Sequence, residues 1–264
     1  MNFEIIAWEA AKSLPLVVHV PHSSTIVPPE IRHTFCLSDE RLQRELLRMT
    51  DWYTDRLFSG AVELGGTLFV NRLSRLVVDP ERFPDDDQEV MATKGMGAVY
   101  TRTAEGQPLR RSLAPRERTE LLEVYFHPYA KAFTDVVSGM LDRHGRCLIL
   151  DGHSFSSVPL PYELDQETPR PEICLGTDDR HSPESLVREV EARCVAQGLH
   201  VARNTPFAGT YVPLRYWHVD PRVTSIMIEI RRDLYMDEHT GSETAGLPRV
   251  QELISGIVRS MARL

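Results

Sequence analysis

Two histidines of this chain each stand just beyond an apolar run, in Leu16-Val17-Val18-His19-Val20-Pro21-His22 and in Cys147-Leu148-Ile149-Leu150-Asp151-Gly152-His153. A third run, Ile226-Met227-Ile228-Glu229, ends in a carboxylate. Short runs of β-branched and aliphatic residues bounded by Pro or Gly read as buried strands, and ligands gather beyond the carboxyl ends of strands in open α/β sheets. The three ends are therefore expected to converge. Two imidazoles can hold a divalent metal while a neighbouring carboxylate handles the protons of a hydrolytic reaction.

A hydrolytic zinc site usually takes three protein ligands, and His22-Ser23-Ser24-Thr25 offers no acid close behind the histidine. Asp51 and Asp55 are the candidates for the third ligand, four apart on one face of an expected helix, with surface pairing to Arg44 and Arg48 as the competing use of both. Asp151 is read as the acceptor that fixes the tautomer of His153. Glu229 lies in so apolar a run that its charge needs a metal, a cation or water. Either it is a general base tuned by burial, or it pairs with Arg231 or Arg232.

These residues need a sheet to carry them. Strands are expected near residues 15–20, 67–70, 75–79, 147–151, 172–176, 199–202 and 225–231. Leu42, Leu46, Met49, Tyr53 and Leu57 recur at helical spacing and predict one helix from 42 to 57. Ser182-Pro183-Glu184 offers an N-cap and first turn for a second helix that Gly198 can stop. Pro248 opens a last helix with an apolar stripe of Val250, Leu253, Ile254, Ile257, Val258, Met261 and Leu264. Strands alternating with helices predict a single α/β domain over 1–264, a three-layer α/β/α arrangement around a mixed, mainly parallel sheet. The weakly periodic stretch from Arg82 to Gln107 reads as a long excursion that either borders a site or lies at the surface.

Composition narrows the partners. Thirty basic residues against 38 acidic give a net charge of −8, so no basic face is on offer to a phosphate backbone and nucleic acid is not expected. The densest basic stretch, Arg110, Arg111, Arg116 and Arg118, reads as a solvated loop and helix start. Cys36, Cys147, Cys174 and Cys194 form no Cys-x-x-Cys pair and are expected to be reduced and buried. The N-terminus shows no basic segment before an apolar core, and no stretch approaches the about 18 apolar residues of a membrane span. The expectation is a soluble cytoplasmic protein without membrane contact, acting on a small molecule, with a homo-oligomer left open.

Several segments, in order, resemble one family: Val20-Pro21-His22-Ser23, Thr50-Asp51-Trp52, Ser74-Arg75-Leu76-Val77-Val78-Asp79, Asp151-Gly152-His153-Ser154, Asn204-Thr205-Pro206-Phe207-Ala208-Gly209, and Glu229 through Leu234-Tyr235-Met236-Asp237-Glu238. Together they resemble the N-formylglutamate amidohydrolases, whose fold is similar to that of zinc carboxypeptidases and related deacylases, a phosphorylase/hydrolase-like architecture. The resemblance implies that His22 and His153 bind zinc, favours Asp51 over Asp55 as the third ligand, and puts Glu229 in the place of the general base. It also implies that Arg75, Arg82 and Tyr211 hold the substrate, the arginines at its carboxylate, although Arg75 can equally brace the sheet edge against Asp79. The reaction it implies is release of formate from N-formyl-L-glutamate.

Two departures bear on the substrate. Where many members read Asp-Leu-Asn-Arg, this chain reads Asp79-Pro80-Glu81-Arg82, with an acid in place of a neutral amide beside the anion pocket. A Gly-Gly-Tyr segment followed by Thr-Arg in many members becomes Gly209-Thr210-Tyr211-Val212-Pro213-Leu214-Arg215. A zinc deacylase or peptidase acting on another acyl amino acid or peptide stays open, as does a non-catalytic binding domain. Cobalt and manganese accept the same ligand types as zinc.

Overall fold

The structure, a computed structural model, describes residues 2–7 and 13–261. Seven strands form one sheet in the order β1-β3-β2-β4-β7-β5-β6. They are β1 (Phe3–Ala7), β2 (Leu16–Val20), β3 (Thr67–Asn71), β4 (Cys147–Phe155), β5 (Ile173–Gly176), β6 (Val201–Arg203) and β7 (Val223–Arg231). The central neighbours β3, β2, β4 and β7 run parallel, while β1 pairs antiparallel with β3 and β5 antiparallel with β7. The sheet is therefore mixed. The eight helices among the described residues are α1 (Pro29–Arg32), α2 (Asp39–Met49), α3 (Thr54–Leu57), α4 (Gly60–Glu63), α5 (Pro115–Leu121), α6 (His127–His144), α7 (Glu184–Ala196) and α8 (Leu247–Met261). A π-helical turn, Leu122–Phe126, joins α5 to α6.

The two-residue period of a strand splits the buried runs between two cores. Leu16, Val18 and Val20 pack with Leu68, Leu150, Ile226, Ile228 and Ile230 against α3, α4, α7 and α8. The other face carries Val17, Phe69, Ile149 and Val223 against Tyr129, Phe133, Val137 and Met140 of α6. Both faces are covered, which is why the central strands tolerate unbroken apolar runs. The apolar stripe of α8 packs into the first core through Met261; Leu264 lies outside the described residues.

Three local expectations are corrected. β1 was not foreseen, and it adds an antiparallel edge strand to β3. Residues 75–79 are not a strand but a tight turn, Val77 N–H donating to Ser74 at 2.9 Å. The carbonyls of Leu76 and Val77 go instead to the guanidinium of Arg110, at 2.7 Å for Val77. Arg110 is thus not part of a solvated stretch: it is 4% exposed, stacks on Phe35, and burial pushes its pKa down to about 10.

The predicted helix over 42–57 is two helices. Thr50 turns to extended geometry after α2, and Tyr53 takes a left-handed φ of 64° before α3. Ser182 does not cap α7; its hydroxyl donates to the Ser225 carbonyl at 2.6 Å and accepts from Asp178. Cys36 is exposed rather than buried, while the other three cysteines are buried and Cys147, Cys174 and Cys194 have pKa values raised to about 12 by burial.

Candidate active site

Strand parity assembles the site. On the α6 face, β2 shows Val17 then His19, β4 shows Ile149, Asp151 and His153, and β7 shows Val223, Ser225, Met227 and Glu229. The parallel registers place His19 beside Asp151 and His153 beside Glu229. One face thus changes from aliphatic to polar toward the carboxyl ends of the strands, and α6 covers the aliphatic part and reaches His19 through Tyr129 and Phe133. Gly152 points to the opposite face, where a Cβ would come within 2.7 Å of the Phe58 ring. A side chain there would force β4 away from the α3–α4 segment.

His22 follows Pro21 at the end of β2, and the break after α2 supplies its partner. The Asp51 N–H donates to the His22 carbonyl at 3.0 Å, which places the Asp51 carboxylate against both histidines. Its Oδ2 lies 3.1 Å from His153 Nδ1 and 3.6 Å from His22 Nδ1. Its Oδ1 accepts from Arg232 Nη2 at 3.1 Å. His22, Asp51 and His153 are each at most 3% exposed, and one ligand atom from each lies within 4.8 Å of the others.

The outer imidazole nitrogens face carboxylates. His22 Nε2 lies 2.9 Å from Asp79 Oδ1. His153 Nε2 lies 3.2 Å from both Asp151 Oδ1 and Glu81 Oε1. A donor N–H at Nε2 leaves Nδ1 of each ring as a lone pair directed at the shared centre, the arrangement carboxylates impose on metal-binding histidines. His22 Nδ1 and Glu229 Oε2 are buried with no hydrogen-bond partner. Buried polar atoms are normally satisfied, so these two orphans in a nitrogen and oxygen donor set fit a divalent cation and a reacting group beside it.

Electrostatics agree. Burial works against the charge of Asp51, yet hydrogen bonds to His153 and His22 hold its carboxyl well below the usual range. Burial likewise opposes a charged His153, but Glu81 and Asp151 raise its pKa well above the ordinary value, so in the absence of a metal a proton supplies the positive charge. A bound cation would take that proton's place. Glu229 is pushed up to about 8 by burial, with Asp51 adding to the rise and His153, Arg232 and Arg75 opposing it. Arg231 turns to Asp233 and Arg232 to Asp51 and Ser154, leaving Glu229 to the cleft.

The remaining candidates divide. Asp55 pairs with Arg72 at 3.2 Å and stands outside the cluster. Arg48 pairs with Glu105. Arg75 lines the cleft, but its Nη2 donates to Asp79 Oδ2 at 2.9 Å and its Nε to Tyr100. Arg82 also lines the cleft; its buried Nε makes no hydrogen bond and lies 3.7 Å from Asp79. Tyr211 lines the cleft and packs on His19 and Phe133, and its backbone N–H donates to Asp151 Oδ2 at 3.0 Å. Glu81 turns toward the imidazoles of His153, His22 and His19 rather than toward Arg82.

His19, Asp79, Glu81, Tyr129 and Arg232 are parts of the cluster that sequence reasoning missed as site residues. For His19 a signal existed: a lone polar residue inside a buried strand, two residues before Pro21, asks for a partner. Arg232 was expected only as a partner of Glu229 and goes to Asp51 instead; nothing local could have announced Tyr129. The first part of the Arg82–Gln107 excursion does border the cleft, through Arg82, Phe83, Glu89, Val90 and Met91.

Residues 14–236 match the sequence model of a family described as N-formylglutamate amidohydrolase. The chain is 29% identical over 242 residues to an N-formylglutamate deformylase of Pseudomonas aeruginosa, covering 89% of this chain and 86% of that protein. A Pseudomonas putida N-formylglutamate deformylase is 27% identical over 230 residues, covering 85% and 83%. A crystal structure of N-formylglutamate amidohydrolase from Ralstonia eutropha JMP134 superimposes with a TM-score of 0.87 at 27% identity over 99% of this chain and 97% of that one. A gene product of Agrobacterium tumefaciens shares the fold at a TM-score of 0.68 and 21% identity, over 98% and 96% of the two chains.

Proposed function

The chain belongs to the N-formylglutamate amidohydrolase family, and from that premise we propose that it hydrolyses the amide of an N-acyl amino acid, N-formyl-L-glutamate first, giving formate and L-glutamate. The observation that carries the proposal is the meeting of two Nδ1 atoms on one Asp51 oxygen, with the unpartnered Glu229 Oε2 lining the same cleft. His22, Asp51 and His153 would hold zinc, or cobalt or manganese in its place. When bound there, such an ion polarises the amide carbonyl and acidifies an attacking water.

The chain's own groups do the rest. Glu229 Oε2 accepts the proton of the attacking water and returns it to the leaving nitrogen as the C–N bond breaks, so the hydroxyl ends on formate and the proton on the amine. Arg82, which faces Asp79 and Glu89 only at 3.7 and 3.8 Å, offers a planar donor fork to the substrate carboxylate. Arg75 holds Asp79 and through it His22, and it borders the same anion pocket. Tyr211 closes the wall of the cleft while its backbone fixes Asp151. Glu81 spends its charge on imidazoles, which reduces the repulsion that its sequence position would impose on an anionic substrate.

One observation favours a second reading. The cleft, about 1460 Å³ and lined further out by Phe83, Leu164, Leu214 and Trp217, exceeds what a single formyl amino acid fills, so a bulkier acyl group or a peptide-linked residue is the alternative substrate. Formate and amine release measured across N-formyl, N-acetyl and longer N-acyl amino acids, with metal content determined on the same sample, decides between them. The formyl-glutamate proposal expects that substrate to give the highest kcat/KM; a preference for long acyl chains overturns it.

A further inference from the structure

His19 sits near the carboxyl end of β2 with none of its surface exposed, its ring among those of Phe133 (4.5 Å between centroids), Tyr211 (4.7 Å) and Phe69 (6.4 Å). An aliphatic or aromatic side chain would suit that pocket better, because a buried imidazole costs free energy unless both nitrogens are satisfied. Both are. Nδ1 lies 2.9 Å from Asp151 Oδ1 and 3.4 Å from Glu81 Oε1, and Nε2 lies 2.7 Å from the Tyr129 hydroxyl.

The direction of these bonds follows from the phenol. Tyr129 is fully buried, and burial keeps its hydroxyl protonated by raising its pKa well above the ordinary value. That proton needs an acceptor, and His19 Nε2 is the atom placed to receive it. His19 then carries its own proton on Nδ1 and donates it to Asp151. Asp151 Oδ1 also meets His153 Nε2, and its Oδ2 accepts from the Tyr211 N–H. A directed chain thus runs from Tyr129 on α6 through β2 and β4 to the cation site.

Resting on the metal site proposed above, we propose that His19 is a positioning residue of that site: through Asp151 it holds the His153 ring with Nε2–H toward the carboxylate and the Nδ1 lone pair toward Asp51, while Tyr129 fixes the tautomer of His19 from behind. Its work is to keep Asp151 from rotating. Loss of the Nδ1–H donor leaves a buried carboxylate oxygen short of a partner and frees both Asp151 and the ring it orients.

Two measurements test this. The first is the zinc dissociation constant, by chelator competition on metal-free protein, for the parent, His19→Leu, His19→Asn and Tyr129→Phe, with circular dichroism confirming the fold. His19→Leu is expected to weaken zinc about 10- to 100-fold and His19→Asn, which keeps an N–H donor, to recover most of it. Folded His19→Leu with parental zinc affinity overturns the proposal. The second needs no metal and no variant: ¹⁵N shifts of the His19 ring in the metal-free parent, followed to alkaline pH where the ring is neutral, should show a protonated Nδ1 and a bare Nε2. The opposite tautomer overturns the proposal even where His19→Leu does not fold, and Tyr129→Phe should then release that tautomer preference. Failure of the parent itself to bind zinc would remove the site reading instead, and the ring shifts would still report on the chain of bonds.

Discussion

At the scale of single residues, the site pairs groups whose surroundings drive their protonation apart. Asp51 is held ionised by two imidazoles, whereas Glu229 is pushed up to about 8 by burial and by Asp51 itself. Two carboxyl groups driven apart in this way can divide proton transfer and charge between them, and a cation bound beside Glu229 would favour its ionised form. Glu229→Gln keeps the shape and removes the proton acceptor. It should lower kcat by about 10²- to 10⁴-fold, the usual worth of general acid–base catalysis, and leave bound zinc unchanged by elemental analysis. Near-parental turnover would take Glu229 out of the mechanism. At the same scale the Glu81 carboxylate faces the outer imidazole nitrogens of His153 and His22, at 3.2 and 3.6 Å.

At the scale of elements, the interruption between α2 and α3 decides which aspartate reaches the two imidazoles. In one continuous helix Asp51 and Asp55 would share a face; with Thr50 extended and Tyr53 left-handed, Asp51 turns inward and Asp55 meets Arg72 at the surface. The helical period of Leu42, Leu46 and Met49 was legible, but a break of four residues leaves the apolar spacing almost intact, so the sequence pattern ran through it. Farther along, α5 leads through the π turn into α6, which carries Tyr129, and its first turn is fastened by Glu117. That carboxylate accepts from the Ala114 N–H at 2.8 Å and pairs with Arg111. The Arg111 hydrogen bond and the Ala114 N–H lower its pKa to about 2. A lowered folded-state pKa contributes stability that is present above the unfolded value near 4.5 and lost as pH falls toward 2. Glu117→Gln should therefore lower Tm at pH 7 and make little difference near pH 2; an equal deficit at both would contradict the assignment.

At the scale of the whole molecule, a sheet covered on both faces opens into the cleft where the carboxyl ends of β2, β4 and β7 meet it. No helix among the described residues is long and apolar enough to cross a membrane. A cation bound only by the folded protein stabilises it by mass action, about 2.7 kcal/mol when free metal is one hundred times Kd. Chelation of the loaded enzyme should then lower Tm by about 5 °C or more for a chain of this size, and zinc should restore it. The His22→Ala variant should show neither change; an equal response in that variant would place the metal elsewhere.

The sequence by itself determined the buried runs, the strand end at Pro21 and the apolar faces of α2 and α8, and with them the two histidines and Glu229, because strand and helix periods are local properties; it did not show that β4 continues past Gly152 to Phe155 and carries His153 inside the sheet beside Glu229. Its segments also sufficed to point to the family. Only the tertiary structure decided that His19 faces Asp151, that Asp51 rather than Asp55 reaches both rings, that Arg110 takes the carbonyls that would have made 75–79 a strand, and that Arg232 grips Asp51. These depend on which segments become neighbours, across separations that run from 33 residues for Arg110 and Val77 to 181 for Arg232 and Asp51. Packing between segments sets them, and no local pattern encodes it.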